Sequence, residues 1–233
     1  MNKDTFKKKC DEITEQIKKI GETVVIDGVV DIDRYQNSPI KVLWLLKETN
    51  SAGPWSIIEN YKNHPWLTEN NGLMSIRRVI YASYGINHPE IKDWKDFPWS
   101  YEEECQKALR NIAFVNINKL PGSSVANDDE IQDAYNKNRA LLKLQFDTYN
   151  PDVVIFGNTL KYVNTEDFDG DFSEANKIRT EKLDTHYYPA INRLYINAWH
   201  PSYFKGISDE DYVMDIVEIT RKWDEARKSV KLQ

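Results

Sequence analysis

Residues 40–46, 112–118, 152–156 and 193–198 are four runs that are apolar along most of their length. Runs without polar alternation are what strands need when helices cover both faces of their sheet. Between them the apolar spacing changes to threes and fours. Phe6, Cys10, Ile13, Ile17 and Ile20 make one stripe on a helix over residues 3–20, which Gly21 ends. Residues 72–84 and 101–111 also read as helical. Asn127 to Glu130 caps a helix that runs to about Thr148, with Ile131, Tyr135, Leu142 and Phe146 inward, and Asn150-Pro151 breaks it. Ser208 caps a last helix striped by Tyr212, Ile216, Ile219, Trp223, Ala226 and Val230.

This alternation predicts an α/β fold: a three-layer αβα domain over residues 1–233, with a central, mostly parallel four-stranded sheet and right-handed crossovers. Residues 1–39 are expected as an extension, a helix followed by a peripheral hairpin turning at Asp27-Gly28. Residues 54–70, with Trp55, Tyr61, His64 and Trp66, suit a loop or broken helix over a pocket. The acidic, weakly patterned segment 164–186 reads as an insertion or loop.

The candidate chemistry gathers where the apolar runs stop. In open α/β sheets ligands bind outside the carboxyl ends of the strands. Glu48 and Asn50 follow the first run, although Thr49, Asn50 and Ser51 could equally cap a helix. Asn116 and Asn118 close the second run. A side-chain amide carries a donor and an acceptor, matching the edge of a pyrimidine or another amide, and it could equally bond a neighbouring loop. Asn158 follows Gly157 after the third run, without a GxGxxG or Walker pattern. The fourth run stops on His200-Pro201-Ser202. Proline biases His200 out of the helical region, placing it just past a strand end, as a ligand-facing group or as a turn residue.

Composition narrows the field. The chain has 233 residues, 40% hydrophobic, enough for one full core. Trp 7, Tyr 13 and Phe 8 are more rings than a core readily absorbs, so some should line surfaces or pockets. A net charge of -6 gives no overall attraction to nucleic acid. Cys10 and Cys105 are too few for a disulfide framework or an iron–sulfur cluster. His64 and His88 each precede proline without a partner ligand, so no metal is assigned. No apolar run reaches membrane-spanning length and no signal-like leader opens the chain, which reads as cytoplasmic, with no cofactor.

The order of motifs resembles the uracil-DNA glycosylase superfamily. The matching pieces are Val42-Leu-Trp-Leu-Leu-Lys-Glu-Thr-Asn50, Phe114-Val-Asn-Ile-Asn-Lys119, Pro151-Asp-Val-Val-Ile-Phe-Gly157 and Trp199-His-Pro-Ser202. They cover most of the chain from about residue 40 onward.

The resemblance implies cleavage of the N-glycosidic bond of a damaged base flipped out of DNA, which would then be the partner. It implies His200 as the neutral donor to the departing base, with Glu48 or Asn50 holding water against the sugar. Asn116 would read the base edge with Asn118 beside it, and Tyr61 or Trp55 would supply a stacking ring. Ser202, Tyr203 and Phe204 would contact DNA or wedge into it, with Lys119 also on the DNA. The chain departs from the family at Lys47 and Thr49, where glycine and proline are usual, and in Tyr203-Phe204-Lys205 after the histidine motif. Two other readings stand beside this one: a non-catalytic nucleic-acid or protein-binding module on the same fold, and an enzyme acting on free nucleosides or nucleotides. Binding of DNA would require Lys47, Lys119, Arg193 and Lys205 around the crevice.

Overall fold

A computed structural model describes residues 1–63, 73–180, 183 and 185–230. His64 and Trp66 lie outside the described residues. In chain order the elements are α1 (Lys3–Lys18), β1 (Val25–Ile26), β2 (Gly28–Val29), α2 (Ile32–Asn37), β3 (Val42–Leu46), β4 (Thr49–Asn50), β5 (Trp55–Ser56), α3 (Ile57–Asn63) and α4 (Leu73–Asn87). Then follow α5 (Glu103–Gln106), β6 (Ile112–Asn116), β7 (Pro121–Gly122), α6 (Asp128–Tyr149), β8 (Val153–Gly157), β9 (Ile178–Arg179), β10 (His186–Pro189), β11 (Leu194–Ala198) and α7 (Asp209–Val230).

The four apolar runs become β3, β6, β8 and β11, and every residue of β3, β6 and β8 is buried. They lie side by side and parallel in the order β6-β3-β8-β11. Even-numbered residues of β3, including Trp44, face a layer holding α4 and α7, and Trp44 Nε1 donates to Ser83 Oγ of α4 at 3.0 Å. Leu43 and Leu45 face the opposite layer, where α1 buries Phe6, Cys10, Ile13 and Ile17 beside Ile131, Tyr135, Leu142 and Phe146 of α6. The protein is therefore α/β, with helices on both faces of its sheet. No helix among the described residues is long and apolar enough to cross a membrane.

Two expectations need correction. The sheet has seven strands among the described residues and is mixed, in the order β2-β6-β3-β8-β11-β10-β9. The segment expected as loop carries β9 and leads into β10; β10 returns antiparallel beside β11 through a turn in which Ala190 N donates to the Arg193 carbonyl at 2.8 Å. These strands are too short to show a period of two.

Nor do residues 24–33 form a hairpin. β1 pairs in parallel with β5, while β2 pairs antiparallel with β6 at the edge of the main sheet. The chain kinks between them because Asp27 is drawn inward, away from the exposed turn its type suggests. Its carboxylate accepts from Asn116 N at 2.7 Å, from Lys119 Nζ at 2.8 and 2.9 Å, and from Gln145 Nε2 at 2.9 Å. Gly28 takes φ 142°, and a side chain there would run into the Tyr149 hydroxyl.

Candidate functional site

The chain leaves β3 through α4 and α5 to reach β6, then crosses back over the other face through α6 to reach β8. The strand order thus reverses between β3 and β8, the position at whose carboxyl ends open α/β sheets bind ligands. Gly157, last residue of β8, marks how closely those ends approach: a Cβ there would overlap Leu46 and touch Pro201 Cδ at 3.1 Å. The loops after β3, β8 and β11 therefore share one neighbourhood.

The loops after β3 and β6 are zipped together. Thr49 pairs with Pro121 and Asn50 with Gly122 in the short parallel pair β4–β7. Asn118 Nδ2 donates to Glu48 Oε2 at 3.0 Å and Ser123 N to Glu48 Oε1 at 3.3 Å. The Glu48 carboxyl lies against Gly122, where any Cβ would overlap it. Asn118 Oδ1 also accepts from Leu120 N at 3.1 Å. Each end of this amide makes one bond to protein, and through Nδ2 Asn118 orients Glu48.

Asn116 is 1% exposed. Its Nδ2 donates to Thr49 Oγ1 at 2.9 Å, and its Oδ1 is buried without a hydrogen-bond partner. An acceptor left in that state costs about 1–3 kcal/mol, so its retention needs a reason. Asn50 is exposed on the rim.

His200 sits half-buried at the end of β11. Ser202 N donates to its Nδ1 at 3.3 Å, and Ser202 Oγ lies 2.8 Å from the same atom. A nitrogen that accepts a backbone N–H carries no proton, so the neutral ring holds its hydrogen on Nε2. Burial, helped by the nearby Lys47 ammonium, lowers the imidazole pKa to about 4. At neutral pH His200 is an uncharged Nε2–H donor at the strand ends.

Lys47, expected as a phosphate contact if DNA binds, is held within the protein. Its ammonium lies 3.4 Å from Asp128 and 5.3 Å from the centre of the Tyr162 ring. Asp128 is also bonded by Lys161 and by the Tyr162 hydroxyl, which hold its carboxyl well below the usual range.

Several expected contacts are placed elsewhere. Lys119 has no exposed surface: its ammonium meets Asp27 and the Gln145 Oε1 at 2.8 Å, so it cannot reach a phosphate. Arg193 is 8% exposed at the opposite end of β11, bonded to the Pro151 carbonyl, Asn150 Oδ1 and Asp169. Tyr61 belongs to the core, edge-on to Trp55 at 5.8 Å and to Phe114 at 5.7 Å, with no free face for a base; Trp55 stays half-buried beside it. Ser202, Tyr203 and Phe204 are exposed, Tyr203 stacked on Trp199 at 4.9 Å and Phe204 lying over Arg77 and Arg78.

The class that this fold defines is an α/β protein whose polar residues collect at the carboxyl edge of a mixed sheet. Compared with protein-family models and with curated proteins, the chain matches none.

Proposed function

We propose that the protein hydrolyses the N-glycosidic bond of a uracil-type base, on a uracil-DNA glycosylase-like arrangement of the strands β6-β3-β8-β11. The observation that carries this reading is the state of His200: neutral, with Nδ1 occupied by Ser202 and Nε2–H free to donate. As the C1′–N bond breaks, its electron pair goes to the base, and the charge reaches a carbonyl oxygen. A neutral donor aimed at that oxygen stabilises the transition state more than the ground state. The sugar carbon left electron-poor takes up water. Glu48, fixed by Asn118 and Ser123 N, holds that water and accepts its proton. The products are free base and the sugar hemiacetal, with solvent reprotonating the base. The unpaired Asn116 acceptor suits an imide N–H of such a base.

A second reading is favoured by the cations. Of Lys47, Lys119, Arg193 and Lys205, two are sealed inside and Lys47 is held by Asp128, leaving Lys205 exposed. That is a poor track for a phosphate backbone and suits a free nucleoside or nucleotide. One experiment addresses both. Purified protein is incubated with uracil- or hypoxanthine-containing DNA, single- and double-stranded, and with free deoxyuridine, uridine and inosine, and released base is quantified. Release from DNA supports the first reading, release from the small substrates alone the second. In either case His200→Ala and Glu48→Ala should abolish release. No free base from any substrate overturns both.

A further inference from the structure

α4 carries an arginine whose side chain has no exposed surface, Arg78. All three nitrogens of its guanidinium are used, and all on one short segment. Nε donates to Asp209 Oδ1 at 2.7 Å, Nη1 to the Tyr203 carbonyl at 2.6 Å and Nη2 to the Ile207 carbonyl at 2.6 Å. The group lies over the rings of Phe204 at 4.5 Å and Tyr212 at 4.8 Å. Burying such a charge is unfavourable unless every donor is filled, and an apolar side chain would pack this position with less risk. What arginine adds is direction: a planar fork whose bonds have fixed angles.

The segment so held is the loop after β11. It has no secondary structure between Ala198 and Asp209, its residues Ser202 to Gly206 are exposed, and Gly206 takes φ 72°. The loop's own contacts, the Tyr203 N–H to the His200 carbonyl and the Tyr203–Trp199 stack, act within its first turn, and the rest forms no strand or helix that would hold it. The Tyr203 residue is gripped at both its polar groups: its N–H donates to the His200 carbonyl at 2.8 Å, closing a tight turn, and its carbonyl is taken by Arg78. Inside that turn Ser202 presents its N–H and hydroxyl to His200 Nδ1.

We propose that Arg78 is the positioning residue of the His200 loop: by holding the Tyr203 and Ile207 carbonyls it fixes the turn in which Ser202 caps Nδ1, and so fixes the tautomer and direction of the imidazole. Its functional meaning rests on His200 acting as the Nε2–H donor; its geometric content does not.

The test is nitrogen NMR of the full-length protein labelled at histidine, without substrate. Wild type should show His200 as a single Nε2–H tautomer that protonates near pH 4, as its burial beside Lys47 implies. The other charges around it are those of Asp128 and Lys161 beyond Lys47, and of Arg77, Arg78, Lys205 and Asp209 on or against its own loop. Arg78→Lys keeps the charge and much of the bulk but cannot hold three acceptors at fixed angles. It should give a mixture of His200 tautomers and a midpoint moved up toward the ordinary 6.5. His88, stacked on Tyr84 at the far end of α4, is the internal control and should not move. A general disturbance of α4 would shift both histidines. If the lysine variant disturbs both, Asp209→Ala, which removes one anchor of the guanidinium, should show the His200 change alone. Unaltered His200 signals in a folded Arg78→Lys protein, or in Asp209→Ala where that variant decides, overturn the proposal. Because no turnover is measured, that failure is separate from failure of the glycosidic reading.

Discussion

The Nζ of Lys119 lies 2.9 and 2.8 Å from the two carboxylate oxygens of Asp27, and neither side chain has exposed surface. Removing one member of a buried pair strands the other charge, which is strongly destabilising. Lys119→Met should therefore lower unfolding free energy by about 3–5 kcal/mol, read from urea denaturation. The double variant Asp27→Asn with Lys119→Met should recover a substantial part, because an amide oxygen still serves Asn116 N and no bare charge remains. A double variant no better than the single one would contradict this account.

His200 gives a pH prediction whose sign follows from linkage. Its folded pKa, about 4, lies below the unfolded 6.5. Between those values the unfolded chain binds a proton that the folded protein refuses. This contribution to stability is complete above about pH 6.5 and is lost as pH falls toward 4. His200→Gln should flatten that part of a stability profile measured from pH 7 to 4. An unchanged slope would mean that the ring is not held neutral.

Gly122 is small because Glu48 rests on it. Gly122→Ala should drive the carboxylate off Asn118 and Ser123, with a modest change in melting temperature. Under the glycosidic reading base release should fall about 10²-fold or more with KM little changed, since a misplaced catalytic group costs on that scale. Asn118→Ala should do the same. A large rise in KM with turnover intact would instead return Asn118 to the base.

Any association with a polynucleotide should respond weakly to salt. With Lys119 and Arg193 withdrawn and Lys47 paired, a strand lying across these β-strand ends should have about one or two phosphates neutralised, so log affinity against log salt should have a slope near −1 for a single strand. Fluorescence anisotropy of a labelled uracil-containing oligonucleotide between 50 and 200 mM salt checks this. A slope several times steeper would reveal a basic surface elsewhere.

The main strands were legible because apolar runs such as 42–46 have no other stable use than burial between helices. His200 was legible because proline fixes where a strand stops. What escaped the sequence depends on distant partners. Lys119 reads as a surface lysine until Asp27, 92 residues earlier, is folded over it. Asn118 and Asn116 looked alike two residues apart, yet one is bonded at both its nitrogen and its oxygen, to Glu48 and Leu120, while the other keeps an unpaired oxygen. Tyr61 looked like a pocket ring because aromatic side chains serve cores and binding sites with the same chemistry. Arg78 gave no local signal, since its three acceptors lie between 125 and 131 residues away.

The antiparallel seat of β2 against β6 ties the first forty residues to the molecule in a way an appendage would not be. A shortened protein starting at Lys41 should be insoluble on its own, with the β6 margin unprotected and an ammonium left without its anion. Supplying residues 1–40 as a separate peptide should rescue it. The protein would then behave as two interlocking pieces, assembled from fragments neither of which is sufficient.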